Sequence, residues 1–117
     1  MKGHIRVEKK WGYEIWFENN ELYCGKKLVC KDNIWSSDGW YHYHPEKDET
    51  FFIILGHLQL DIEGKSNLYK PGESIRIKPG TRHRFRSHTM SCSFIEVSTT
   101  HEEEDSIRVE TLEEGRE

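Results

Sequence analysis

Hydrophobic and polar positions alternate along most of this chain, and helical periodicity is hard to find. Trp11, Tyr13, Ile15 and Phe17 are interleaved with Gly12, Glu14, Trp16 and Glu18, a period of two that predicts a β-strand. Asn19-Asn20 is a turn signal, and Leu22 to Cys30 reads as the returning hairpin strand. Further strands are predicted near 35–44, 49–55, 57–63, 67–70, 73–78, 82–87 and 91–98, with breaks at Pro45, Gly56, Gly64, Pro71-Gly72 and Pro79-Gly80. Short strands at this density of turn residues predict an all-β antiparallel barrel or sandwich. Thr50-Phe51-Phe52-Ile53-Ile54-Leu55 is apolar at alternate and intervening positions alike, so both of its faces should be covered. The outer cover would be a second sheet or a partner subunit, which makes a homodimer the expectation.

Size and charge narrow the function classes. A length of 117 residues is that of one domain spanning 1–117. Four Trp, five Tyr and five Phe supply bulky core material despite 32% charged residues. The net charge of −4 is unevenly spread: residues 101–117 hold eight acids against Arg108 and Arg116. Outside that acidic C-terminal segment the balance is weakly positive, far from the cationic surface that nucleic acid requires. Cys24, Cys30 and Cys92 are odd in number and lack C-x-x-C spacing, so a reduced, cytoplasmic chain is expected. No apolar run reaches membrane-spanning length, and the first residues carry no apolar signal region; no membrane partner is expected.

Four histidines between positions 42 and 83 change the picture. His42 and His44 are two apart, which on a strand places both imidazoles on one side. Glu49 opens the next strand after the Pro45 turn, and His83 follows the Pro79-Gly80 turn. Two imidazoles from one strand, a carboxylate from its neighbour and a third imidazole across the sheet can converge on one cation. That donor set suits Zn, Mn, Fe, Co or Ni rather than Ca or Mg. Six-coordinate geometry would leave two positions for water or substrate, as catalysis requires.

The same residues carry a family resemblance. Gly39-Trp40-Tyr41-His42-Tyr43-His44, four residues, Glu49, six residues and Gly56 resemble the first cupin motif, with a shortened gap after Gly39. Gly72, five residues and Lys78-Pro79-Gly80-Thr81-Arg82-His83 resemble the second, with Lys78 in place of the usual proline. The resemblance implies a double-stranded β-helix (jelly-roll barrel), a metal held by His42, His44, Glu49 and His83, and frequent dimerisation. Lys10-Trp11-Gly12-Tyr13-Glu14, Phe94-Ile95-Glu96-Val97, Glu104-Asp105-Ser106-Ile107-Arg108 and Gly115-Arg116 are similar to the opening and closing segments of type II mannose-6-phosphate isomerase domains. In that family Gln often stands at the position of His42 and Arg at that of Lys47. The resemblance also makes partial order of the acidic segment the expectation, with Arg108 paired to an acid.

The expected activity is then metal-dependent aldose–ketose isomerisation of a sugar or sugar phosphate. Alternatives are an Fe or Mn cupin dioxygenase, a non-catalytic sugar-binding or regulatory cupin, and a metal-free sugar-nucleotide ketoisomerase with histidine bases. Isomerisation needs a base to move a proton between neighbouring carbons, and Glu14, Lys27 and Glu96 are the titratable candidates. Trp40 shares the parity of His42 and His44 and is the candidate sugar-stacking residue. Arg76 and Arg108 are candidates for a phosphate, which arginine binds bidentately. Arg82, Arg84 and Arg86 alternate with His83 and are expected to form an outward, solvated or subunit-facing stripe.

Overall fold

The alternation is realised as strands with almost no helix. The computed structural model describes residues 4–116. Its strands are β1 (Ile5–Lys9), β2 (Gly12–Asn19), β3 (Cys24–Cys30), β4 (Tyr41–Tyr43), β5 (Glu49–Leu55), β6 (Leu58–Ile62), β7 (Lys65–Tyr69), β8 (Ser74–Ile77), β9 (His83–Ser87), β10 (Cys92–Ser98) and β11 (Ile107–Val109). They form two antiparallel sheets, one ordered β1-β2-β3-β10-β5-β8 and the other β11-β4-β9-β6-β7. The predicted jelly-roll layout is therefore present. Among the described residues no helix is long and apolar enough to cross a membrane.

The sheets enclose an aromatic core in which Phe51 and Phe94 lie 4.6 Å apart, with Phe85 edge-on to Phe94 and to Trp11. Leu28, Ile53, Leu58, Leu60 and Ile77 complete it. β2 begins at Gly12, where any Cβ would strike the Val29 carbonyl; only glycine lets β2 and β3 approach so closely.

Several strand expectations need correction. The stretch 35–44 is not one strand, because Ser36–Gly39 forms a tight turn and only Tyr41–Tyr43 is extended. Ser37, Asp38 and Gly39 all have positive φ, a conformation that costs a non-glycine residue roughly 1–2 kcal/mol. β1 and β11 went unforeseen, since β1 is an exposed edge and β11 has three residues. In β2 the apolar set Tyr13, Ile15 and Phe17 lies outward, while Glu14 is buried. The interior there is a polar cavity wall, so the usual sense of the alternation is inverted.

β5 also departs from expectation. Phe51 and Ile53 are fully buried, whereas Phe52, Ile54 and Leu55 are exposed. Within the chain only the inner face of β5 is covered. The acidic C-terminal segment is ordered, as the resemblance implied: β11 pairs with β4, and Asp105 accepts the backbone N–H groups of Glu46 and Lys47. Arg116 reaches Glu63, and Arg108 pairs with Asp38 at 3.4 Å.

Candidate metal centre

The pleat of β4 and the register of its neighbours bring the histidines together. His42 stands directly opposite His83 in the β4–β9 pair, and their rings are 4.1 Å apart. His44, two residues on, keeps the same side, with its ring 5.4 Å from that of His42. One nitrogen from each of His42, His44 and His83 lies within 4.8 Å of the others. Glu49, at the start of β5, enters from the other sheet, with Oε2 3.2 Å from His44 Nε2 and 3.5 Å from His83 Nε2.

Hydrogen bonds from outside this cluster set which nitrogens face inward. His83 Nδ1 is 2.9 Å from the Thr81 carbonyl, and His44 Nδ1 is 3.2 Å from the Asp105 carbonyl. A carbonyl only accepts, so each Nδ1 must donate, and in the neutral ring each Nε2 is left with a lone pair. Supports of this kind commonly orient metal-binding imidazoles. Ser37 Oγ lies 3.4 Å from His42 Nδ1, so the strained turn before β4 helps to orient the third ring.

Among the described residues, two of the three buried side-chain atoms without a hydrogen bond are Glu49 Oε2 and His83 Nε2. The third, Arg82 Nε, belongs to the outer face. Buried polar atoms are nearly always satisfied, and these two are aimed at each other. A carboxylate oxygen facing imidazole lone pairs is repulsive unless a cation or proton lies between them. The ionisation states favour the cation. Burial, reinforced by the neighbouring histidines, holds His42 well below the ordinary imidazole range; burial also lowers His83, against the pull of Glu49. Burial alone would raise Glu49, but its neighbours, the Lys47 ammonium among them, hold it well below the carboxylate range. Neutral imidazoles and an ionised carboxylate are the forms that bind a divalent ion.

The cluster opens into a cavity of about 450 Å³. Phe51 and Phe85 lie in its lining, and Trp11 and Trp35 also line it. One inward row runs across the large sheet as Trp16, Lys26, Glu96 and Phe51, and the next as Glu14, Leu28, Phe94 and Ile53. Glu14 and Glu96 therefore reach the cavity, as expected. Lys27 does not: it falls in the outward row with Ile15, Ile95 and Phe52, and Lys26 takes the inward position.

Other sequence candidates divide in the same way. Trp40 is 41% exposed and does not line the cavity; it lies between the turn at Ser36–Gly39 and the paired residues of β4. Arg76 lies on β8 away from the cavity, held bidentately by Asp48. Arg108 does line the cavity, at a rim where Asp38 also binds Lys10 at 3.2 Å. The arginine stripe of β9 faces outward but is not simply solvated: Arg82 is buried over Tyr43, and Arg84 and Arg86 stack on Trp35.

Two residues beside the centre escaped the sequence reading. Lys47 is buried, with Nζ 3.1 Å from Glu96 Oε2, 3.1 Å from His101 Nδ1 and 3.8 Å from Glu49 Oε1. His101 Nδ1 must accept from that ammonium, so Nε2–H donates to Glu103 at 3.0 Å.

Comparison with known proteins decides the family. The family model described as "Cupin domain" matches residues 36–98, more than half of the chain and the whole histidine–glutamate constellation. The chain is a cupin. Among curated proteins this cupin is 30% identical over 71 residues to YdbB of Bacillus subtilis, an uncharacterised protein. It is 33% identical over 46 residues to the polyketide synthase CurC of Streptomyces cyaneus. These matches span 60% and 39% of this cupin, and 60% and 30% of the relatives. Similar solved structures include KdgF from Halomonas sp., with a TM-score of 0.75, 12% identity and coverage of 86% of this chain and 90% of that one. A sugar phosphate isomerase of the cupin superfamily from Silicibacter pomeroyi superposes with a TM-score of 0.69 at 16% identity, covering 85% and 76%. The nucleoside dehydratase Pac13, from Streptomyces, gives 0.76 at 11% identity and covers 97% and 92%. At these identities the likeness establishes the shared fold.

His101 gives this cupin a pH dependence. Burial, with Lys26 and Lys47 adding to it, lowers the His101 pKa. The unfolded chain binds a proton at this position below about pH 6.5, while the folded chain resists it. Stability is therefore full above that value and falls as pH drops toward the folded-state pKa, in the same sense as for His42 and His83. The denaturation midpoint of metal-free protein should fall between pH 7.5 and 5.5. His101→Asn should flatten that slope; an unchanged slope would remove His101 from the account.

Proposed function

We propose that this cupin is a metal-dependent enzyme that interconverts aldose and ketose forms of a sugar or sugar phosphate. His42, His44, Glu49 and His83 are the ligands. The observation that carries the metal assignment is the facing pair of buried, unsatisfied atoms Glu49 Oε2 and His83 Nε2, beside His42 and His44, which with Glu49 line the cavity. A divalent ion held by these four residues would supply the Lewis-acid charge that proton transfer next to a carbonyl requires.

The chain's own groups supply the rest. Proton transfer between neighbouring carbons falls to Glu14. Its Oε1 accepts from Trp16 Nε1 at 2.7 Å and lies 3.6 Å from Lys26 Nζ, which leaves Oε2 free to accept. Glu96 is engaged by Lys47 and is the less available base. The similarity of both chain ends to type II mannose-6-phosphate isomerase domains points the same way. The exposed Phe52, Ile54, Leu55 and Val97 of the large sheet support assembly as a homodimer through that face.

Proton NMR of mannose 6-phosphate in D2O with metal-reconstituted protein tests the activity. The expected result is fructose 6-phosphate, lost on adding chelator, with deuterium entering at C2. Oxygen consumption with bound iron and no sugar conversion would instead support the dioxygenase reading.

A further inference from the structure

The cavity holds two buried lysines with different surroundings. Lys47 is hydrogen-bonded to Glu96 and His101, with Glu49 3.8 Å away as a further ion-pair partner. Lys26 is equally buried, 3% exposed, and lines the same cavity. Its nearest ion-pair partner among the described residues is Glu14, at 3.6 Å, beyond hydrogen-bonding range. Its remaining contact is the face of Trp16, 4.3 Å away. An ammonium carries three donors; Lys26 Nζ is not among the fully buried atoms without a partner, so its donors face the cavity rather than a closed core. Lys26 is held on the inner face of β3, between Trp16 and Glu96 in register, so it cannot swing out to water as a surface lysine does.

Charge on the cavity wall points to the same ligand. Glu14, Glu49 and Glu96 face Lys26 and Lys47 across the interior, and the rim acids Glu8, Asp38 and Glu103 are matched by Lys9, Lys10 and Arg108. A divalent ion at the histidines turns a net negative interior into a net positive one. The surplus calls for an anion, and the donors left open are those of Lys26.

We propose that Lys26 anchors an anionic group of the substrate, a phosphate or a carboxylate, at the wall formed by β2, β3 and β10. This rests on the metal-dependent reading above and narrows its substrate to a charged sugar. It also assigns the role sought among Arg76 and Arg108 to a residue that the sequence pattern did not mark.

Calorimetric titration of metal-loaded protein with mannose, mannose 6-phosphate and mannuronate tests it, since the three ligands differ chiefly at C6. At least one anion should bind tenfold or more tightly than mannose, and which one does so identifies the group. In Lys26→Met that preference should vanish while metal stoichiometry stays at one per chain, and Lys26→Arg should restore part of it. If Lys26→Met does not fold, Lys26→Gln takes its place. An anion preference unchanged in the folded variant, or mannose binding as well as both anions, overturns the proposal. Failure of the underlying reading shows separately, as wild-type protein that takes up no metal.

Discussion

His44→Ala should lose its metal and its turnover while keeping its fold. His44 touches Glu49 on one side and the Asp105 carbonyl and Ser106 Oγ on the other, so alanine there removes one of four donors and no core hydrophobe. Apparent binding energies of four-ligand zinc sites are about 10–16 kcal/mol. Losing a quarter of that weakens affinity by roughly two orders of magnitude, at about 1.4 kcal/mol per factor of ten. The cleanest measure is the rise in Tm on adding metal. Wild-type protein at a tenfold excess over Kd should gain about 1.4 kcal/mol, and His44→Ala, then at roughly a tenth of its own Kd, should gain almost none at the same concentration. The metal-free melting temperatures should lie close together, which separates loss of the ligand from loss of the fold. A variant that keeps both the metal-induced shift and the stoichiometry would remove His44 from the centre.

How much of this centre could be read beforehand follows from the physics of strands. His42, His44, Glu49 and His83 were legible because a two-residue period and two turns fix which side chains share a face, and the β4–β9 register places His42 against His83. Lys26 and Lys27 show the limit. Adjacent lysines on one strand face opposite ways, and which faces in depends on register with β2 and β10. Choosing the inward face of β2 by its apolar residues gives the wrong side, because this part of the interior holds Glu14 and Lys26 rather than hydrophobes. Trp40 shows a local limit: a turn with positive φ at Ser37, Asp38 and Gly39 leaves it outside the paired strand that begins at Tyr41, at an exposed position. Lys47 and His101 are 54 residues apart and meet only when the segment after β10 folds back. No local pattern marks such a pair.

That fold-back is the basis of the second large effect, at Lys47. Burial alone would lower its pKa, but the Glu96 and Glu49 carboxylates outweigh burial and raise it, so the ammonium is charged and is the counter-ion of both acids. Lys47→Met keeps the length of the side chain and deletes the charge, leaving Glu96 and Glu49 buried without their cation and His101 Nδ1 without its donor. Breaking a buried pair from one side costs roughly 3–5 kcal/mol, a large part of the 5–15 kcal/mol typical of a whole domain. At about 4 °C per kcal/mol for a chain of this size, metal-free Lys47→Met should melt some 12–20 °C below wild type. Adding Glu96→Gln should recover part of the loss, because it removes one stranded charge. Metal should recover more of it, because a cation at the histidines neutralises Glu49 from the other side. Chemical denaturation of wild type, Lys47→Met, Glu96→Gln and the double variant, with and without metal, measures both couplings. A loss below 1 kcal/mol in Lys47→Met, or a double variant less stable than the single, would show that Lys47 is not the ion on which these two acids depend. If the losses follow the expected order, the segment that carries His101 and the strand that carries Glu49 share one electrostatic support.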